Sequence, residues 1–177
     1  TTPQDAAAIA ESLGPVVVKA QVPRGKRGKA GGIVLASDAV QCKLAAHNIL
    51  GMKFGQHSVE RVLVEEQIDI SLELYAAVFT DAASKGPSIL FSTRGGIDIE
   101  EAALEDTDAV CRFVVDIRKG LDSTGAAAIL EGFDLGDARI PVADVLVRLY
   151  ELWHSRDAEL VEINPLAVTD KGRVVAL

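Results

Sequence analysis

The chain has 177 residues, 49% apolar and 25% charged, with a formal net charge of −8. That mix suits a soluble globular protein with one well-buried domain or two small lobes sharing a core, and no apolar run approaches the length that crosses a bilayer. An acidic balance argues against a broad nucleic-acid-binding face, which spreads positive charge over a surface. Cys42 and Cys111 lie far apart without metal-ligand spacing and read as core residues of a reducing compartment.

The chain starts without Met on "TTPQD", a helix start, and stops on "RVVAL" inside a strand pattern; these are the ends expected of a piece of something longer. Thr2 suits an N-cap, Pro3 the first helical position and Asp5 a capping box. Alanines carry this helix to Gly14, and Pro15 stops it. The β-branched run 16–22, "VVVKAQV", predicts a buried strand interrupted by Lys19. A glycine-rich basic loop follows, and "GGIVLA" at 31–36 predicts the return strand of a hairpin. Ser37 is expected to cap a second helix over roughly 38–50, closed by Gly51.

From residue 59 the pattern turns to strands: 59–67 and 73–81, joined by "IDISL", then a turn at 83–88 and a strand at 89–93. "RGGIDIEEAA" restarts the chain, and 110–117 is another strand candidate. Helical patterns follow near 123–132 and 141–154. The final stretch predicts a strand, a kink at Pro165 and a hairpin around Asp170-Lys171-Gly172. There is no repeat, low-complexity tract or linker. The alternation of types predicts two α+β lobes meeting near residue 67.

Five of the eighteen Lys and Arg residues fall between Lys19 and Lys29. Glycines let backbone N–H groups approach an anion, and flanking cations add charge, so this loop reads either as a phosphate cradle or as a solvated hairpin turn. It is not a Walker loop, because "GKRGKAGG" lacks that spacing and the terminal Ser or Thr. Lys19 is the sharper signal, since a lysine inside an apolar strand needs a partner. It either reaches a ligand phosphate or lies on the exposed face of an edge strand.

"LVEEQIDISLELY" holds Glu65, Glu66 and Glu73, which either accept from an adenine amine or a ribose hydroxyl or are ordinary acidic strand ends. Glu162 and Asn164 stand two apart on a strand and share a face. They either hold a Mg²⁺ that bridges phosphates or form a polar sheet face before a proline. His47, His57 and His154 have no matching acid or thiol and carry no assignment.

"VVVKAQVPRGKRGKAGGI", "VLVEEQIDISLELY", "STRGGIDIEE" and "EINPLAVTDKGRVVAL", in this order, resemble the ATP-grasp part of succinyl-CoA synthetase β subunits and related ADP-forming acyl-CoA synthetases. The resemblance covers essentially the whole chain. It implies an α+β ATP-grasp fold, with an N-terminal lobe at 1–67, a C-terminal lobe at 68–177 and the nucleotide site between them. It places Lys19 on the nucleotide phosphates and folds Lys26, Arg27 and Gly28 over them. It puts Glu65 at the adenine side, Glu73 at the ribose side and the backbone near Ile68 along the base. Asn164 matches a magnesium ligand, and Glu162 the carboxylate that meets the phosphohistidine of a partner.

The implied cofactors are ATP or GTP with Mg²⁺, and the implied partner is an α subunit carrying the CoA site and the phosphohistidine. The implied reaction joins a carboxylate to CoA at the expense of ATP in the cytoplasm or mitochondrial matrix, with neither nucleic acid nor membrane involved. Three positions depart from the family: Lys26 for a usual Gly, Ala82 for a usual Arg, and Arg94 for a usual Glu. "RGGIDIEE" is similar to the malate–CoA ligase branch, which keeps succinate, malate and other acids open. A nucleotide-binding module without turnover is the reading from outside enzymology. The family's first helix, a second magnesium ligand and a flavodoxin-like domain all fall outside this span, so the chain alone is expected to be inactive.

Overall fold

The structure, a computed structural model, describes residues 2–23, 25, 27–96 and 110–177. It falls into two compact units, 1–68 and 69–177, each with its own core.

In the first unit the helix α1 (Pro3–Leu13) starts on the expected capping box. The Thr2 hydroxyl accepts from the Asp5 N–H, and the Asp5 carboxylate accepts from the Thr2 N–H. Strands β1 (Val16–Ala20), β2 (Ile33–Ala36) and β5 (Val62–Glu66) form an antiparallel sheet in the order β2-β1-β5. Helix α2 (Ala39–Ile49) lies between β2 and a small hairpin of β3 (Lys53–Phe54) and β4 (His57–Ser58), which the sequence reading lacked. Alternation along β1 sends Val16, Val18 and Ala20 into a core with Ala6, Ala10, Cys42, Ala46 and Ile49. Val17 and Lys19 therefore point to the sheet's other face. The cap of α2 is Asp38 rather than Ser37: the Asp38 carboxylate accepts from Gln41 N–H, and the Gln41 side chain accepts from Ser37 N–H.

In the second unit five antiparallel strands run in the order β10-β9-β6-β7-β8. They are β6 (Ile70–Asp81), β7 (Gly86–Ser92), β8 (Cys111–Val114), β9 (Leu160–Thr169) and β10 (Val174–Ala176). Helices α3 (Ser123–Ile129) and α4 (Arg139–Ser155) supply Ala126, Val142, Leu146, Leu149 and Trp153 to a core with Leu74, Val78, Ile89, Phe91 and Leu166. The stretch "IDISL" is mostly strand, because β6 begins at Ile70. The kink expected at Pro165 takes the form of a bulge, and β9 continues through it to Thr169. Leu74 faces Leu166 and Ala76 faces Ile163, so β9 carries one extra residue there. That bulge accommodates a proline that has no N–H for the ladder.

Candidate nucleotide and phosphoryl-transfer site

β1 is the central strand of its sheet, which rules out the edge-strand reading of Lys19. Lys19 faces Leu63 and Val17 faces Glu65, so Lys19 and Glu65 are diagonal neighbours on one face. Their side chains meet: Lys19 Nζ stands 2.5 Å from Glu65 Oε2, with the two side chains 14% and 33% exposed. Leu35, Ile33 and Leu63 leave an exposed apolar surface on the same face of the sheet. The carboxylate gives a lysine set among apolar strand residues an ionic partner.

The loop after β1 is shaped by Arg27. Its guanidinium donates to the Ala20 carbonyl at 2.7 Å, and its own carbonyl accepts from Gly32 N–H at 2.8 Å. Gly31 N–H donates to the Gly28 carbonyl at 3.0 Å. Gly32 sits in tight quarters: a Cβ would stand 2.7 Å from the Phe54 ring and 3.1 Å from the Arg27 carbonyl, so a side chain there would push the ring aside. Arg27 thus closes the loop onto the strand end. Lys26 lies outside the described residues. Ile68 is half-buried just beyond Gln67, whose N–H donates to the Pro15 carbonyl.

In the second unit β6 and β9 carry the other singled-out residues. Val161 and Ile163 pack against the core, so Glu162 and Asn164 lie exposed on the opposite face, as their spacing predicts. Glu162 stands opposite Ala77, and Tyr75, two residues along β6, donates its hydroxyl to Glu162 Oε2 at 3.0 Å. Asn164 Oδ1 accepts the Gly96 N–H at 2.8 Å. A backbone N–H only donates, so this contact fixes which end of the amide is oxygen.

Gly95 and Gly96 form a tight passage after β7. Gly95 N–H donates to the Glu73 carbonyl, and a Cβ on Gly95 would collide with the Leu74 backbone. Gly96 has φ +69°, and a Cβ there would collide with the Glu73 carboxylate. The sequence reading took these glycines only as a chain restart, and it took Tyr75 as a strand residue. Two glycines shortly after a predicted strand were the available signal for a close backbone approach; their closeness to Glu73 is visible only in the fold.

The hairpin bearing Ala82 closes without a side chain at that position. Asp81 accepts from Ala83 N–H, Ser84 N–H and the hydroxyls of Ser84 and Ser88, and pairs with Arg112. Mg²⁺ prefers oxygen ligands and is commonly held by one or two protein groups together with phosphate and water. Asn164 Oδ1 and the exposed carboxylates of Glu73 and Glu162 are oxygen donors of the kind that mode uses, so the donor set fits it. Among the described residues no group of three or more His, Cys, Asp or Glu could cage a metal.

The sequence profile described as the ATP-grasp domain matches residues 1–168. Among curated proteins, the chain is 45% identical to a succinate–CoA ligase [ADP-forming] subunit β of Natronomonas pharaonis, covering 99% of this chain and 47% of that protein. It is 42% identical to a succinate–CoA ligase [GDP-forming] subunit β of Thermus thermophilus, with the same two coverages. Among solved structures, a dinucleotide-forming acetyl-coenzyme A synthetase 1 of Ca. Korarchaeum cryptofilum, in complex with coenzyme A, acetyl-coenzyme A and a phosphorylated phosphohistidine segment, superimposes with TM-score 0.68. That match has 20% identity and covers 100% of this chain and 83% of the other, a likeness of fold. The chain spans about half the length of the curated relatives it matches. With an antiparallel α+β architecture in both units and a profile match over nearly its whole length, the chain belongs to the ATP-grasp family.

Proposed function

We propose that this chain is the nucleotide-binding part of a carboxylate–CoA ligase that passes phosphate from ATP or GTP to a histidine on a partner subunit. The observation that carries the reading is Lys19. A central-strand lysine, mostly shielded and held by Glu65, is a poor choice for stability alone and a good one for a ligand phosphate. Lys19 takes the phosphates, and the loop of Lys26, Arg27 and Gly28 covers them. Glu65 reads the base with the backbone at Ile68, and Glu73 takes the ribose. Asn164 offers its oxygen to a Mg²⁺, which would neutralise phosphate charge during transfer. Glu162 receives the partner's histidine. Residues 1–67 and 68–177 serve as the two lobes of the fold.

In this assignment the chain's own residues contribute position and charge rather than covalent chemistry. The α-type partner supplies the histidine and the CoA site, and the carboxylate substrate is selected outside this span. Succinate is the first choice because the curated relatives are succinate–CoA ligases.

Calorimetric titration of Mg·ATP and Mg·GTP tests the reading. Saturable binding with one nucleotide favoured, lost in Glu65→Ala and weakened in Lys19→Ala, supports it. Absence of binding by either nucleotide, to this span and to the complete ligase alike, would leave a fold without the proposed role.

A further inference from the structure

We infer that Tyr75 is a positioning residue for phosphoryl transfer, acting through Glu162; this rests on the proposed meeting of Glu162 with the partner's histidine. Tyr75 is 3% exposed, on the strand at the centre of the five-stranded sheet, with Ser92 as its partner on β7. Its backbone is held in register by β7, and on the β9 side it stands at the bulge between Leu74 and Ala76. Its ring is buried, yet its hydroxyl reaches the edge of that burial and donates to Glu162 Oε2 at 3.0 Å. A phenylalanine would bury the same ring with no polar atom to satisfy. The hydroxyl supplies the carboxylate with a donor that burial of the ring does not itself require.

Glu162 is exposed and has three side-chain torsions, so an untethered carboxylate would sample many orientations. A hydrogen bond from a buried, immobile phenol to one carboxylate oxygen removes most of that freedom in advance. The remaining oxygen then stands in a fixed direction for an incoming imidazole N–H. Holding that ring before the transfer saves ordering it during the transfer. Asn164, two residues on, is fixed in the same manner by the Gly96 N–H. Both β9 groups are thus oriented from outside their own strand. Tyr75 touches neither nucleotide nor histidine in this arrangement, and its effect on transfer runs through Glu162.

The test uses the complete ligase with its partner subunit and follows the rate at which the γ-phosphate of ATP appears on the partner's histidine in single turnovers. Tyr75→Phe removes one oxygen and leaves the ring. It is expected to slow transfer about tenfold, the factor of one hydrogen bond to a charged group at the lower end of its range. Nucleotide affinity and the unfolding midpoint should stay near wild type. Glu162→Ala should slow transfer at least as much, and Tyr75→Phe added to it should cost nothing further, since the hydroxyl has lost the group it acts on. Equal transfer by Tyr75→Phe and wild type overturns the inference. So does a tenfold loss that persists in the Glu162→Ala background, which marks Tyr75 as a packing residue. Wild-type transfer by Glu162→Ala instead removes the underlying reading of Glu162, a separate and recognisable failure.

Discussion

Lys19 and Glu65 show how a single pair joins stability to the proposed function. With side chains 14% and 33% exposed, the pair is partly desolvated, and removing one member leaves the other poorly solvated. Lys19→Met is expected to cost about 1–2 kcal/mol, less than a fully buried pair because water still reaches Glu65. The double variant Lys19→Met with Glu65→Leu should recover most of that loss, and both should lose nucleotide binding. Urea midpoints at unchanged m-value check the first half and calorimetry the second. A double variant no more stable than the single one would show that the strand packing, not the orphaned charge, sets the cost. Gly95→Ala makes a sharper prediction. Its Cβ meets the Leu74 backbone, which cannot move without opening β6, so the variant should be destabilised by about 2 kcal/mol or more in the same assay. Of these residues only the charged ones were legible in sequence. A lysine in an apolar run stands out, whereas Tyr75 in "ELYAAVFTD" is indistinguishable from any aromatic core residue.

Among the elements, α1 was readable to its cap because the capping box is a local pattern. Its Asp5 carboxyl is held below the ordinary carboxylate range by the backbone N–H and the hydroxyl of Thr2. A carboxyl whose folded value is lowered adds stability above its unfolded value and loses it as pH falls through the folded one. The first turn of α1 should therefore exchange its amides relatively faster below the ordinary carboxylate range than above it, after correction for intrinsic exchange. Asp5→Asn should flatten that dependence. At α2 the neighbouring Ser37 and Asp38 are both good caps by type, and only geometry chooses Asp38. Asp38→Ala should cost about 1 kcal/mol and Ser37→Ala less than about 0.5 kcal/mol, measured as unfolding midpoints. β9 was the harder case. Proline signals a kink in the strand, but the bulge that carries it past β6 depends on the partner strand, which local sequence does not encode.

At the scale of the molecule, the positive loop in an acidic chain pointed to an anion without naming it. The ATP-grasp match over residues 1–168 narrows the class of ligand, while Arg27, part of that loop, proves to be engaged with the Ala20 carbonyl. Arg27 thus serves the shape of the loop, and in the proposed site the charge for phosphate falls to Lys19 and its neighbours. Binding then has a thermodynamic consequence for the whole fold. A ligand that binds only the folded chain at a hundredfold excess over its Kd adds about 2.7 kcal/mol, so Mg·ATP or Mg·GTP should raise the midpoint of unfolding in a concentration-dependent way. The nucleotide with the larger shift is the one whose base is read, and relatives of both ADP-forming and GDP-forming type make this comparison worth doing. Arg27→Ala separates shape from charge. It should lower the midpoint without nucleotide, by loss of the clip to Ala20, and reduce affinity only in proportion to the loop's disorder. Lys19→Ala should instead abolish most of the nucleotide-induced shift. If both variants keep the full shift, the phosphates are held elsewhere and the loop is only a turn. If the Lys19 variant alone loses it, the anion anticipated from the basic loop is a nucleotide phosphate at Lys19.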